Sequence, residues 1–128
     1  MRESGLWKKL KGNLKLDMLS RIENKANVGW PDVYYLHNKL SGFIELKIEK
    51  LFPKKIDFEP AQPNWLVDYS KLGGTCYIFL YVELEDCIYV WKGADARRLS
   101  ENAENVKPLL NIIADEEGFE FLYLKLFV

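Results

Sequence analysis

Thr75-Cys76-Tyr77-Ile78-Phe79-Leu80-Tyr81-Val82 is apolar, aromatic or β-branched at almost every position. So short a run reads as a strand, and a strand with no polar face has to be covered on both sides. The chain of 128 residues is enough for one domain. With the order helix, hairpin, helix, hairpin, helix, strand read around it, this strand points to an α/β sandwich. Hydrophobic residues at 48 % and charged ones at 29 % supply the core that such layers need.

The flanking segments are read around that strand. Leu6, Leu10, Leu14, Met18 and Ile22 recur every four residues, with Trp7 and Leu19 beside them, which predicts helix. Gly12-Asn13 divides this stretch into two short helices, and Lys8, Lys11 and Lys15 fall on a separate, polar face. Asp32 to Leu36 and Phe43 to Ile48 read as strands joined by the polar turn between His37 and Gly42. Leu51 to Ala61, carrying Pro53 and Pro60, reads as a loop. A helix is expected from Ala61 to Leu72, stopped by Gly73-Gly74. Cys87 to Trp91 returns as the hairpin partner of the doubly covered strand. Pro108 is expected to open a last helix through Leu109, Leu110, Ile112 and Ile113 to Gly118, and Phe119 to Val128 to close the chain as a strand. The sum is a mixed β-sheet flanked by helices.

Several chemistries are nearly excluded. One histidine, His37, and two cysteines, Cys76 and Cys87, leave no zinc motif, disulfide framework or histidine-based triad. No apolar run approaches the roughly 20 residues that cross a bilayer, and the first residues lack a secretory pattern, so a soluble, reduced, cytoplasmic domain is expected. The net charge is −1, but residues 1–55 hold 12 Lys and Arg against 6 Asp and Glu, and residues 56–128 hold 6 against 13. A basic half on a near-neutral chain is the footprint of a polyanionic partner, or of a solvated lysine face.

Chemistry concentrates in Gly29-Trp30-Pro31-Asp32-Val33 and Glu45-Leu46-Lys47. Alternation along a strand sends Glu45 and Lys47 to one face and Leu46 to the other. A hairpin sets the start of the first strand beside the far part of the second, so Asp32 and Glu45 converge. Two carboxylates repel unless a hard divalent cation such as Mg²⁺ lies between them. With the Lys47 ammonium one pleat away, this is the minimum set for metal-assisted phosphodiester hydrolysis. As bare patterns the pieces are weak: Glu23-Asn24-Lys25 is a second acidic-x-Lys triplet, and the polar face of a strand would look alike. Order and context supply the weight.

Taken in order, Arg21-Ile22-Glu23-Asn24, Gly29-Trp30-Pro31-Asp32-Val33, Gly42-Phe43-Ile44-Glu45-Leu46-Lys47 and Gln62-Pro63-Asn64-Trp65-Leu66, followed by the strand from Gly73-Gly74 onward, resemble the PD-(D/E)XK nuclease superfamily. Within it the chain is similar to small phage-type members related to virus-type replication-repair nuclease domains and to Holliday junction resolvases. The resemblance spans residues 6–92 and implies one domain over 1–128 with a restriction-endonuclease-like core, leaving 93–128 as an extension. It implies dependence on Mg²⁺ or Mn²⁺ and cleavage of DNA, branched DNA in particular. It also implies Asp32 and Glu45 as metal ligands, Lys47 as the catalytic lysine, Glu23 as a supporting acidic ligand, and Gln62 as a group holding water or phosphate from the second helix. Linear duplex, flap or single-stranded substrates stay open, as does a non-catalytic nucleic-acid-binding module on the same fold.

Lys8, Lys11 and Lys15 are the expected DNA-binding residues, with Lys54 and Lys55 in the proline-bearing loop as further candidates. Trp65 and Leu66 read as core packing. The apolar tail from Phe119 to Val128, taken as a strand, is either buried within its own subunit against the Pro108 helix or paired in a symmetric homodimer. Pairing is the favoured reading, because an exposed edge of that kind is normally paired.

Overall fold

The computed structural model describes residues 1–23 and 28–128. Asn24 and Lys25, part of the motif around Glu23, lie outside the described residues. Ten main elements follow in chain order: α1 (Glu3–Asn13), β1 (Met18–Arg21), β2 (Val33–His37), β3 (Leu40–Glu49), α2 (Gln62–Lys71), β4 (Cys76–Val82), β5 (Cys87–Lys92), α3 (Ala96–Glu101), β6 (Leu110–Ile113) and α4 (Glu116–Leu126). The six strands form one sheet in sequence order. Every pairing is antiparallel except β3 with β4, which run parallel. A parallel pair needs a crossover, and α2 supplies it.

The expected doubly covered strand is β4, central and buried at six of its seven positions. One of its faces belongs to a core with Leu6 and Leu10 of α1 and Phe119 and Leu122 of α4. The other belongs to a core with Leu66 and Val67 of α2 and Leu99 of α3. The β2–β3 hairpin turns at Asn38 and Lys39, both at positive φ, the twist that matches a tight two-residue turn. Gly73, at φ +95°, lets the chain leave α2.

Three expectations are corrected. The four-residue spacing of apolar residues runs past the end of α1. Leu14 still packs in the core, but Met18 is exposed on β1, which pairs antiparallel with β2. The last two elements are exchanged. Leu110–Ile113 is an edge strand against β5, with the period-two burial of Ile112 between exposed Asn111 and Ile113. The tail from Phe119 is helix, not strand: Asp115 caps α4 by accepting the Gly118 N–H at 2.8 Å, and Glu116 and Glu117 fill its first turn. Phe119 and Leu122 lie on its buried side. Phe119, Leu122 and Phe127 are covered by their own subunit while Phe121, Leu124 and Val128 stay exposed. The tail offers no strand edge, and the argument for pairing from such an edge does not apply.

Candidate active site

The β2–β3 register pairs Val33 with Ile44 and Tyr34 with Phe43. Continued by one residue, it sets Asp32 opposite Glu45. Both are buried, at 6 % and 2 % exposure, on the face of the sheet covered by α2. Asp32 Oδ2 accepts the Leu46 backbone N–H at 2.8 Å, which fixes one carboxylate against the neighbouring strand. Burial, and then the Asp32 carboxylate, push the Glu45 carboxyl up to about 8, outweighing the ammonium of Lys47 that lies 3.1 Å from Glu45 Oε2.

Lys47 is held from three sides. Besides Glu45 it donates to Gln62 Oε1 at 3.0 Å, and its Nζ sits 4.9 Å from the centre of the Phe58 ring. Gln62 opens α2 with Pro63 beside it. Its Oε1 also accepts the Glu59 N–H at 3.0 Å, while its own N–H returns to Glu59 O at 2.9 Å. This reciprocal pair anchors a polar side chain that is only 3 % exposed. With Oε1 doubly engaged, the amide N–H₂ of Gln62 has no partner among the described residues and is left to donate to a ligand.

Glu45 Oε1 is buried and makes no hydrogen bond among the described residues. An orphaned carboxylate oxygen beside a second carboxylate fits a hard divalent cation, which would satisfy it and relieve the repulsion. Among the described residues there is no group of three or more His, Cys, Asp or Glu placed to hold a metal. Asp32 and Glu45 would thus offer a cation two ligands, with water and substrate left to complete the shell, as Mg²⁺ commonly requires.

The other expected residues are exposed. Glu23 is exposed, and no cluster among the described residues includes it. Lys8, Lys11 and Lys15 are exposed, but α1 packs on the opposite face of the sheet from Glu45 and Lys47. Lys54 and Lys55 are also exposed and lie in the segment that carries Phe58 and Glu59 to the site. That segment is tied down by Ile56 N–H to Leu99 O at 2.9 Å and by Ala103 N–H to Lys54 O at 2.7 Å.

Sequence reading passes over Glu59, because a backbone N–H in a proline-bearing loop carries no pattern. It also passes over Glu3, which with Glu49 and Glu83 lines a depression of about 350 Å³ against Leu46 and Lys47.

No protein-family model matches the chain, and no curated protein matches it in sequence. By structure it is similar to the Holliday junction resolvase Hjc of Archaeoglobus fulgidus, a hyperthermophilic archaeon. The TM-score is 0.54 at 18 % identity, over 93 % of this chain and 89 % of that one. The fold is the resolvase and restriction-endonuclease type of α/β sandwich: a mixed sheet between two helical layers.

Proposed function

We propose that this protein is a metal-dependent DNA endonuclease of the PD-(D/E)XK type, acting on branched DNA. The observation that carries the reading is the buried Asp32–Glu45 pair, with its unclaimed oxygen, braced against Lys47 and Gln62. A fold similar to that of a Holliday junction resolvase supports the same class.

Asp32 and Glu45 would hold Mg²⁺ or Mn²⁺, which when bound polarises a phosphoryl oxygen and makes a water more acidic. Lys47 places a fixed positive charge beside the carboxylates, where it stabilises the extra negative charge on phosphate oxygens as water adds to phosphorus and the leaving P–O bond breaks. Gln62 holds the lysine through Oε1 and offers its N–H₂ to the water or a phosphate oxygen. The attacking water gives up a proton to solvent, and the departing oxygen takes one from it. Lys54 and Lys55, next to the Phe58–Glu59 segment, would track the strand through its phosphates, and Lys8, Lys11 and Lys15 would meet more distant backbone. Each subunit carries one such site and a four-way junction offers two symmetric strands, so a two-fold pair of subunits is the proposed working unit.

A panel of labelled four-way junction, flap, single strand and duplex, each with Mg²⁺ or with EDTA, tests the reading. Mg²⁺-dependent cuts in the junction are expected. Tight binding to every substrate with no cleavage in Mg²⁺ or Mn²⁺ would replace it with the non-catalytic module.

A further inference from the structure

Beside the carboxylates, the same face of the sheet ends in a group of aromatic rings that the hydrolytic chemistry leaves unused. Trp30, Tyr34, Phe43, Trp65 and Tyr69 are each only partly buried. Trp65 stacks on Tyr69 at 4.9 Å and 16°, and Trp30 lies 6.0 Å from both Trp65 and Phe43. Tyr34 meets Phe43 edge-on at 5.6 Å.

Each ring is one step along an element that carries a site residue. Trp30 precedes Asp32 by two positions, Phe43 precedes Glu45 by two, and Trp65 follows Gln62 by about one helical turn. Gly29 sets the approach. It is buried at φ +93°, and a Cβ there would come within 2.8 Å of Ala61 O, so the turn bearing Trp30 rests directly on the start of α2.

These rings differ from the fully buried Trp91, though not from Tyr35 of the α1-side core, in what their polar edges do. The fully buried Trp91 gives its indole N–H to Val106 O at 2.8 Å. The indole N–H groups of Trp30 and Trp65 and the hydroxyls of Tyr34 and Tyr69 make no hydrogen bond among the described residues. Phe43, Trp65 and Tyr69 pack against the α2-side core and are anchored by it, whereas Trp30 and Tyr34 belong to neither apolar core. Rings braced by one another, with free polar edges, suit an unstacked nucleobase: the π-face accepts any base and the edges offer donors.

We propose that Trp30, backed by Trp65 and Tyr69, is a stacking platform for an unpaired DNA base flanking the bond to be cut. This rests on the endonuclease reading and narrows its substrate to DNA with unstacked bases at the cleavage point: a branch point, a flap or a single strand. Continuity with the carboxylates and Lys47 favours a nucleotide over a protein partner, since a strand held at those groups carries its neighbouring bases past these rings.

The test uses the full chain in EDTA, so that binding is read without cleavage, with oligonucleotides carrying 2-aminopurine at an unpaired position. Binding should change the probe's fluorescence. Trp30→Ala should abolish that change and weaken single-strand binding roughly tenfold or more, while altering duplex binding by less than about twofold. Trp30→Phe should retain most of the signal, and thermal melts of both variants report folding. The same fluorescence change and affinity in a folded Trp30→Ala would overturn the proposal. So would a native protein that binds the oligonucleotide without altering the probe, or a variant that splits a dimer while keeping its affinity per subunit. A stacking signal with no cleavage in any metal would remove the endonuclease reading and leave the platform. Cleavage indifferent to Trp30 would do the reverse.

Discussion

Neighbouring residues of β3 belong to two different molecules in effect. Leu46 and Glu45 are equally buried, both at 2 % exposure, yet Leu46 joins the hydrocarbon of the α1–α4 side and Glu45 faces a carboxylate, an ammonium and an amide on the α2 side. On the first face burial is stabilising. On the second it leaves a carboxylate oxygen with no hydrogen bond among the described residues, and the protein carries the cost. One face holds the sheet together so that the other can keep a destabilised constellation in place.

The largest expected difference is in catalysis. Asp32→Asn or Glu45→Gln should reduce junction cleavage by about a thousandfold or more, in line with losing several kcal/mol of metal-borne stabilisation. DNA binding should survive or tighten as repulsion of phosphate falls, as a gel-shift titration in Ca²⁺ would show. Lys47→Ala should keep metal binding and lose most of the turnover, since its charge acts on the phosphate.

Stability should then move in opposite directions across the strand. Leu46→Ala should cost about 2–5 kcal/mol in denaturant unfolding. Glu45→Gln should stabilise the metal-free protein at neutral pH, because it removes a carboxyl that must be buried either charged or newly protonated. A Glu45→Gln variant less stable than wild type at pH 8 would mean that the two faces do not differ in this way.

A pH series sharpens the same contrast. The Glu45 carboxyl, near 4.5 in the unfolded chain, is raised to about 8 by burial and Asp32. The folded state therefore binds the extra proton between those values, and stability of the metal-free protein should fall as pH rises through that window. For one group the slope is at most about 1.4 kcal/mol per pH unit. In Glu45→Gln it should flatten.

The smallest effect concerns the DNA path. Neutralising Lys54 and Lys55, on the side of the site, should lower the salt dependence of binding by about 0.9 for each phosphate that the protein no longer neutralises. Neutralising Lys8, Lys11 and Lys15, across the sheet, should change it less. The opposite ranking would route the DNA over α1.

How much of this is legible in the sequence differs by element. β2, β3, α2, β4 and β5 can be read because each has a clean period and a clear stop, such as the glycines after Lys71. Asp32, Glu45 and Lys47 come together because strand alternation and hairpin register are local rules, whereas the approach of Gln62 from α2 is implied only by the family resemblance. The stretch from Met18 to Ile22 reads wrongly as helix because a four-residue apolar spacing also fits a short, half-exposed edge strand. The exchange of β6 and α4 has a similar origin. Pro108 resembles a helix start, and Phe121, Tyr123 and Phe127 resemble a strand, whereas the Asp115 cap with two acidic residues behind it is the better signal. The aromatic group around Trp30 is illegible because it is assembled from three separate elements, and Trp65 alone reads as core.

The central claim, that Asp32 and Glu45 form a divalent-metal site, is tested most directly by calorimetric titration of Mn²⁺ into the wild-type protein and into an Asp32→Asn, Glu45→Gln double variant at about pH 6.5, between the unfolded and folded values of Glu45. In wild type a saturable site is expected, with release of about one proton as Glu45 ionises, measured by repeating the titration in buffers of different ionisation enthalpy. In the double variant that binding should vanish while its thermal melt stays cooperative. Equal, saturable Mn²⁺ binding by the folded double variant would contradict the account.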